Sequence, residues 1–571
     1  MYLLTGIVLL VIISMFTKDF TRVKPLLSKT VGYTIIPCTP PAYLLEGVDT
    51  TRQISPLFDR LGNLNFTVST TNKRAQAFFN QGLKLSYAFN HAEGHRSFME
   101  AARLEPEVAM NYWGQAFALG PNINDPQPPE ERKKQYNIAM AKALKLAKNA
   151  SVKEQDLINA LAARYSEDLT IDVAQLNMAY MVEMAKVAKK YPTDANIQIL
   201  YAAAVMNTVP WNYWDAEGNP SLHIESAKTA LETAMKLEPE NPGGHHYYIH
   251  MVELPYPDLG EASADKLASL MPGAGHIVHM PSHIYIRVGR YKDAVTVNQA
   301  AILADEDYIA QCFAQGIYPL GYYPHNIHFL WSSASLLGDS ELAIDAAKKT
   351  AEKVPTGELI QMPFLQDFAA TPLLAYTRFG KWNEILTIPA PNKEIKHLRL
   401  MRHYARGMAF IRKGNSKEAQ EELDAIKALK EDPMLKDLIA TANNPSVSAA
   451  NIAYEIVAGE LAASKGDLST AIDHLTKAVS YEDNLVYTEP AAWHIPTRQN
   501  LGAVLMKAKQ FKTAEKIYKQ DLAILRQNGW SLMGLYNAYM AQGKNKEAAA
   551  VMDEFNKAWE HADISIDSSV L

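Results

Sequence analysis

The sequence predicts an all-α protein, built as a right-handed α-solenoid of helix–turn–helix repeats. Three observations predict it. Ala, Leu, Lys and Glu are frequent and 48% of the residues are hydrophobic, a helix-forming composition of the globular kind rather than a disordered one. From residue 73 onward, amphipathic stretches follow one another with only short turns between them. Those stretches also share a recurring punctuation of small residues and prolines, the signature of stacked units. With 571 residues, the chain is long enough for several domains or one extended array.

The first element is the apolar run "YLLTGIVLLVIISMF", residues 2–16. It is shorter than the roughly 20 residues of a comfortable spanning helix and fits the apolar region of a secretory signal or a marginal anchor. No basic residue precedes it, Lys18 being the first, and "IIPC" ahead of Cys38 is a poor lipoprotein box. Residues 1–30 are therefore expected to be a signal peptide or membrane anchor, and the protein to be exported, either periplasmic or membrane-anchored. Residues 31–72, with "CTPPAYLLEG" and "LGNLNFTVSTTN", read as an irregular lead-in. An N-terminal solenoid carrying a His-rich site is expected over 73–390, and further repeats over 391–571.

Within the array, "AFFNQGLKLSYAFNHAEGHRSFMEAARLEPEVA" places Gly82, Phe98 and Pro106 along one helix pair. The small residue lets two helices approach closely, and the proline ends the second. "ETAMKLEPENP" closes another unit at Pro239, and "ADKLASLMPGAG" closes the next at Pro272, 33 residues later. "YARGMAFIRKGNSKEAQEELDAI", "LAASKGDLSTAIDHLTKAV", "LGAVLMKAKQFKTAEKIYKQDL" and "GLYNAYMAQGKNKEAAAVMDEF" repeat the pattern in the C-terminal part. This series resembles the tetratricopeptide repeat (TPR), a helix–turn–helix unit of about 34 residues. The resemblance covers most of residues 73–560. It implies a solenoid whose first helices line a concave face, commonly used to grip peptides or partner proteins.

Charge narrows the partners. Fifty-six basic and 62 acidic residues give a net charge of −6, without the basic excess that binds nucleic acid phosphates, so no nucleic acid partner is expected. The two cysteines, Cys38 and Cys312, are too few for a disulfide framework or a thiolate zinc site.

Histidine is the residue that stands out. Eight of the sixteen lie between residues 245 and 328. His246 and His250 fall seven and eleven residues after Pro239, and His279 and His283 fall seven and eleven after Pro272. His276 and His279 lie 13 and 10 residues before Gly289, as His325 and His328 do before Gly338. Equivalent positions of neighbouring solenoid units stack beside one another. Residues four apart on a helix share a face, with Cβ atoms about 5–6 Å apart. Imidazoles so placed can bind a metal at about 2.0–2.1 Å. The expected ligands are His246, His250, His279, His283, His325 and His328, with His91, His245 and His276 as additional candidates. Glu253, three residues after His250, joins that face as ligand or general base. Imidazole without thiol suits a transition metal, namely copper, zinc or iron, rather than calcium or magnesium; six histidines look like a type-3 copper pair, and with Glu253 the set equally suits zinc or iron. Pro281 sits between His279 and His283 and is expected either to start a helix or to kink one, disturbing that pair.

The remaining histidines carry less. His397, His403, His474 and His561 read as ordinary packing or surface residues, and His223 and His494 stay open. Trp211, Tyr213, Trp214, Tyr247, Tyr248, Tyr322 and Tyr323 could wall the site, although aromatic residues also fill repeat cores. P-loop, G-x-S-x-G, H-E-x-x-H and dinucleotide motifs do not occur. The blocks "FNHAEGHRSF", "YWGQAFALGPN", "HHYYIHMVE", "GHIVHMPSHIYIRVGRY" and "YYPHNIHFL" resemble a bacterial group of TPR proteins. That resemblance implies a bacterial, often exported protein and supplies no reaction. Two functions are therefore expected to compete. One is a metal-dependent hydrolase or oxidase acting on a small-molecule or peptide ligand in the concave groove. The other is a scaffold that binds a peptide or an envelope protein partner.

Overall fold

The computed structural model describes residues 51–571 except 216, 313–317, 442, 443 and 494. The expected signal or anchor, the lead-in as far as residue 50, Cys38 and His494 lie outside the described residues. Residues 51–72 contain no helix or strand, yet they are fastened to the first helix. The main-chain N–H groups of Phe58, Phe66 and Val68 donate to the side chains of Gln81, Asn80 and Gln76 at 2.8–3.0 Å, and Phe66 and Val68 are buried.

Helices follow without interruption. The first eight are α1 (Lys73–Tyr87), α2 (His91–Leu104), α3 (Ala109–Leu119), α4 (Glu130–Leu146), α5 (Val152–Ala162), α6 (Val173–Lys190), α7 (Ala195–Met206) and α8 (Ile224–Leu237). The central group is α9 (Pro242–Val252), α10 (Pro257–Leu270), α11 (Gly275–His279), α12 (Pro281–Val288), α13 (Tyr291–Cys312), α14 (Tyr323–Leu337), α15 (Ser340–Glu352) and α16 (Leu365–Arg378). The rest are α17 (Trp382–Thr387), α18 (Lys396–Arg412), α19 (Ser416–Lys430), α20 (Met434–Asp437), α21 (Ser446–Ser464), α22 (Leu468–Asp483), α23 (Thr497–Lys507), α24 (Phe511–Ile524), α25 (Gly529–Ala541) and α26 (Asn545–Ala558). Among the described residues the strands amount to one short antiparallel pair, Ile439–Thr441 with Asn444–Pro445. No described helix is long and apolar enough to cross a membrane.

The repeat punctuation has a physical basis. Phe98 is fully buried and fills a slot between Gly82 and Gly114, where an added Cβ would meet its ring at 2.8 and 2.3 Å. Tyr518 fills the same slot between Gly502 and Gly534, where the added Cβ would meet it at 2.4 and 2.3 Å. In both cases a large side chain on the second helix of a unit wedges between glycines on the first helices of that unit and the next. Pro106, Pro239 and Pro272 each stand just beyond a helix end, at Leu104, Leu237 and Leu270.

Among the described residues two large apolar cores run through the stack, one between Leu61 and Ala294, the other between Ile286 and Ile566, with two small clusters beside them. The last repeats return to the centre of the chain. Arg526 pairs with Asp258 through both carboxylate oxygens, and its carbonyl accepts from the Tyr291 hydroxyl at 2.7 Å. Asp563 accepts from the Ser340 N–H at 2.7 Å. Gly289 and Gly338, both at positive φ, let Arg526 and Trp559 come this close; a Cβ on either would meet them at 2.6 Å.

Candidate metal centre

The site forms where the two cores meet, and each of its helices is set by local sequence. Asn241 caps α9 by accepting from the Gly243 N–H, with Pro242 in the first turn, as its fixed φ favours. That helix buries His246 and His250 and ends at Glu253. Pro281 divides α11 from α12, but Met280 between them keeps right-handed helical angles. The turn is therefore preserved although proline cannot donate. The disturbance expected from Pro281 is absent: ring centroids in the His279/His283 pair are 4.9 Å apart, the same as in the His246/His250 pair.

The rings form a continuous chain. His276 lies 5.0 Å from His246 and 5.8 Å from His279, His250 lies 5.4 Å from His283, and His325 on α14 lies 4.9 Å from His279. Ligand atoms of His246, His250 and His276 all fall within 4.8 Å of one another; so do those of His279, His283 and His325, and those of His250, Glu253 and His283. Three ligands on one ion sit roughly 3.5 Å apart, a distance side-chain rotation can close.

Hydrogen bonding fixes two tautomers. His246 Nδ1 lies 2.5 Å from the Tyr87 carbonyl, so it must donate, and Nε2 keeps its lone pair with no protein partner. The Asn298 amide nitrogen donates to the Ala294 carbonyl at 2.8 Å, which turns its oxygen toward His279 Nδ1 at 2.7 Å. His279 Nε2 is therefore also an acceptor. Such outer contacts orient metal-binding imidazoles and raise their basicity. Both nitrogens of His250 and of His276, and both oxygens of Glu253, lack hydrogen-bond partners.

Burial, with repulsion among neighbouring rings, pushes His246, His276, His279 and His325 well below the usual imidazole range, leaving them neutral. Burial also lowers His250, with Glu253 opposing it. Burial works to raise Glu253, but His283 and His250 outweigh it and hold the carboxyl at about 2. Glu253 Oε2 stands 2.8 Å from His283 Nδ1 and 3.6 Å from His250 Nδ1. At 2.8 Å the approach is at ion-pair distance yet lacks hydrogen-bond geometry.

Two of the expected ligands point elsewhere. His245 turns to the far side of α9, bonded to Ser263 Oγ at 3.0 Å and the Pro239 carbonyl at 2.9 Å. His328 stacks on Trp331 at 4.9 Å and meets Phe368 at 5.3 Å. The position four residues after His325, which would complete a third pair, is Phe329, 4.6 Å from both His279 and His283. His276 takes the place the sequence reading gave to His328. His91 lies nearby without joining a triad. Its nitrogens have no hydrogen-bond partner, and burial with Arg132 lowers it to about 4. Elsewhere His397, His403 and His474 are held by Ser446, Glu422 and Glu455.

The centre opens on a cavity of about 800 Å³, into which His91, His250, His276, His283 and His325 face. Trp211, Tyr322, Phe364 and Phe368 supply aromatic wall, whereas Tyr213, Tyr247, Tyr248 and Tyr323 are buried core residues. Sequence reasoning missed Phe89 and Glu489. Phe89 is wedged 4.4 Å from His246 and 5.6 Å from His250. It does so at a positive φ of 56°, a strained conformation for an aromatic residue and one that gathers at functional sites. Glu489 comes from the loop after α22, and burial pushes it up to about 7. No local pattern marks either residue, because tertiary folding alone brings them here.

No family model matches the sequence, and no curated protein matches it. Solved structures do. The human IFIT1 dimer with m7Gppp-AAAA is 14% identical, over 80% of this chain and 91% of that one, with a TM-score of 0.32. Yeast Tom70 is 10% identical over 85% and 93%, with a TM-score of 0.29. The P58(IPK) TPR domain is 11% identical over 83% and 99%, with a TM-score of 0.21. The succession of helix pairs and the repeated glycine slots themselves make the chain an all-α helical-repeat solenoid; likeness at these TM-scores adds no argument.

Proposed function

We propose that this solenoid is a metal-dependent enzyme whose histidine-rich centre binds a transition metal and acts on a small molecule held in the adjoining cavity. One observation carries the reading: a buried set of imidazoles and one carboxylate converge, and nitrogens of His246, His250, His276 and His283 and both oxygens of Glu253 lack hydrogen-bond partners. Unpaired buried acceptors are costly, and a cation satisfies them together.

His246, His250, His276, His279, His283 and His325 would hold the metal. A bound metal polarises a substrate group, activates water or, if redox-active, supports oxidation. Glu253, ionised and bordering the cavity-facing His250 and His283, is placed to accept a proton from substrate or water. The aromatic wall orients the substrate body and keeps water from it. By the Irving–Williams order an all-imidazole set favours copper among divalent ions. Copper makes the reaction oxidative; zinc, with Glu253 as base, makes it hydrolytic. The apolar run at residues 2–16 and the bacterial sequence blocks support an exported, bacterial protein as part of the same reading.

Metal analysis of protein purified without a histidine tag tests it. Near-stoichiometric copper, zinc or iron, lost in the double variant His250→Ala/His283→Ala, supports the enzyme. Metal-free protein of undiminished stability rejects it and leaves a scaffold for a peptide or an envelope protein.

A further inference from the structure

The three ligand groups overlap in a particular way. His246, His250 and His276 share no residue with His279, His283 and His325. The third group borrows His250 from the first and His283 from the second and adds Glu253. An ion on the third group uses a ligand of each of the others, so two ions that share no ligand fit only at the flanks.

We infer that the centre takes two metal ions, one in each histidine triad, with Glu253 between them. The inference rests on the metal-binding reading above. A single central ion would engage two of the six imidazoles and leave His246 Nε2 and both nitrogens of His276 buried and unpaired. Two flanking ions engage all six. The tautomer anchors are distributed the same way. His246, tied to the Tyr87 carbonyl, belongs to the first triad; His279, tied to Asn298, belongs to the second. Each triad thus owns one imidazole whose Nδ1 is already tied, which leaves Nε2 as the acceptor turned to the centre: unpaired in His246, and meeting only the neighbouring His283 ring in His279. His250 and His283, 5.4 Å apart between centroids, bring the seats close enough for both ions to act on one bound group. Glu253, beside both rings, can bridge the ions or take the proton of a water between them.

Stoichiometry decides. The full chain is loaded with copper or zinc alone and its bound metal counted. Two ions per chain are expected, falling to one in His246→Ala and to one in His325→Ala, while Glu253→Gln keeps two. One ion per chain, retained by both histidine variants and lost in Glu253→Gln, overturns the two-ion centre while leaving metal binding intact. No bound metal at all overturns the metal-binding reading itself. Should the variants fail to fold, the copper(II)-loaded wild-type protein answers alone. A coupled pair gives an electron paramagnetic resonance signal far below the copper count, whereas a signal equal to the count denies the pair.

Discussion

His279 Nε2 and His283 Nε2 lie 3.0 Å apart, and Asn298 decides which of them carries the proton. Because His279 donates from Nδ1 to Asn298, His283 must be the donor between the rings. On its other side His283 Nδ1 stands 2.8 Å from Glu253 Oε2 without hydrogen-bond geometry. A metal ion on His279 Nε2 would take the lone pair that Asn298 keeps available there. Removing the outer contact should therefore weaken metal binding without touching a ligand. Asn298→Leu is expected to lose about 10–100-fold in affinity, and Asn298→Asp, which keeps an acceptor, to lose less. Competition against a chelator of known affinity measures both.

His245 and His328 make the opposite prediction. Their rings face Ser263 and Trp331 rather than the centre. His245→Gln and His328→Phe should retain the wild-type metal content, and loss of metal in either would show that the ligand set is drawn wrongly.

Metal removal should soften the fold. A ligand present at 100 times its dissociation constant adds about 2.7 kcal/mol to the native state. Chelation is therefore expected to lower the melting temperature, and adding back the native metal to restore it, in a thermal scan. The His250→Ala/His283→Ala variant should show no such response.

The glycine slots govern stability separately from chemistry. Gly534→Ala places a methyl 2.3 Å from the Tyr518 ring, and overpacking of this kind costs about 1–3 kcal/mol. Urea denaturation should show that loss while metal content stays unchanged.

Glu482 gives a pH dependence remote from the metal. Burial raises its folded-state value from 4.5 to about 7, against hydrogen bonds from Thr497. Between those values the folded chain holds a proton that the unfolded chain releases, so this group makes stability fall as pH rises through the window. The stability of Glu482→Gln relative to wild type should grow from pH 4 toward pH 7 and level off above it; equilibrium unfolding across pH reads the difference.

Much of the fold was legible because its signals are local. Gly82, Phe98 and Pro106 do in space what their spacing indicates, and the His-x-x-x-His pairs at 246/250 and 279/283 share faces as expected. The third pair was misread because a matching offset from a glycine does not settle what each side chain packs against: His279 meets His325 in the centre, whereas His328 stacks on Trp331. His325 reaches the centre, Phe329 occupies its helical partner position, and His276 enters through a stretch that sequence spacing ranked second. Phe89 and Glu489 were invisible for a different reason. Glu489 is separated from His283 by more than a third of the chain, and no periodicity links them.

The second triad draws His279 and His283 from helices α11 and α12, packed mainly into the first apolar core, and His325 from α14, packed into the second. An ion there would act as a rivet across the seam between the two cores. Twisting one half against the other would pull the rivet's holes out of line, so grip on the ion and stiffness of the stack would become one property, and a partner that strained the stack would loosen the ion without ever touching a histidine.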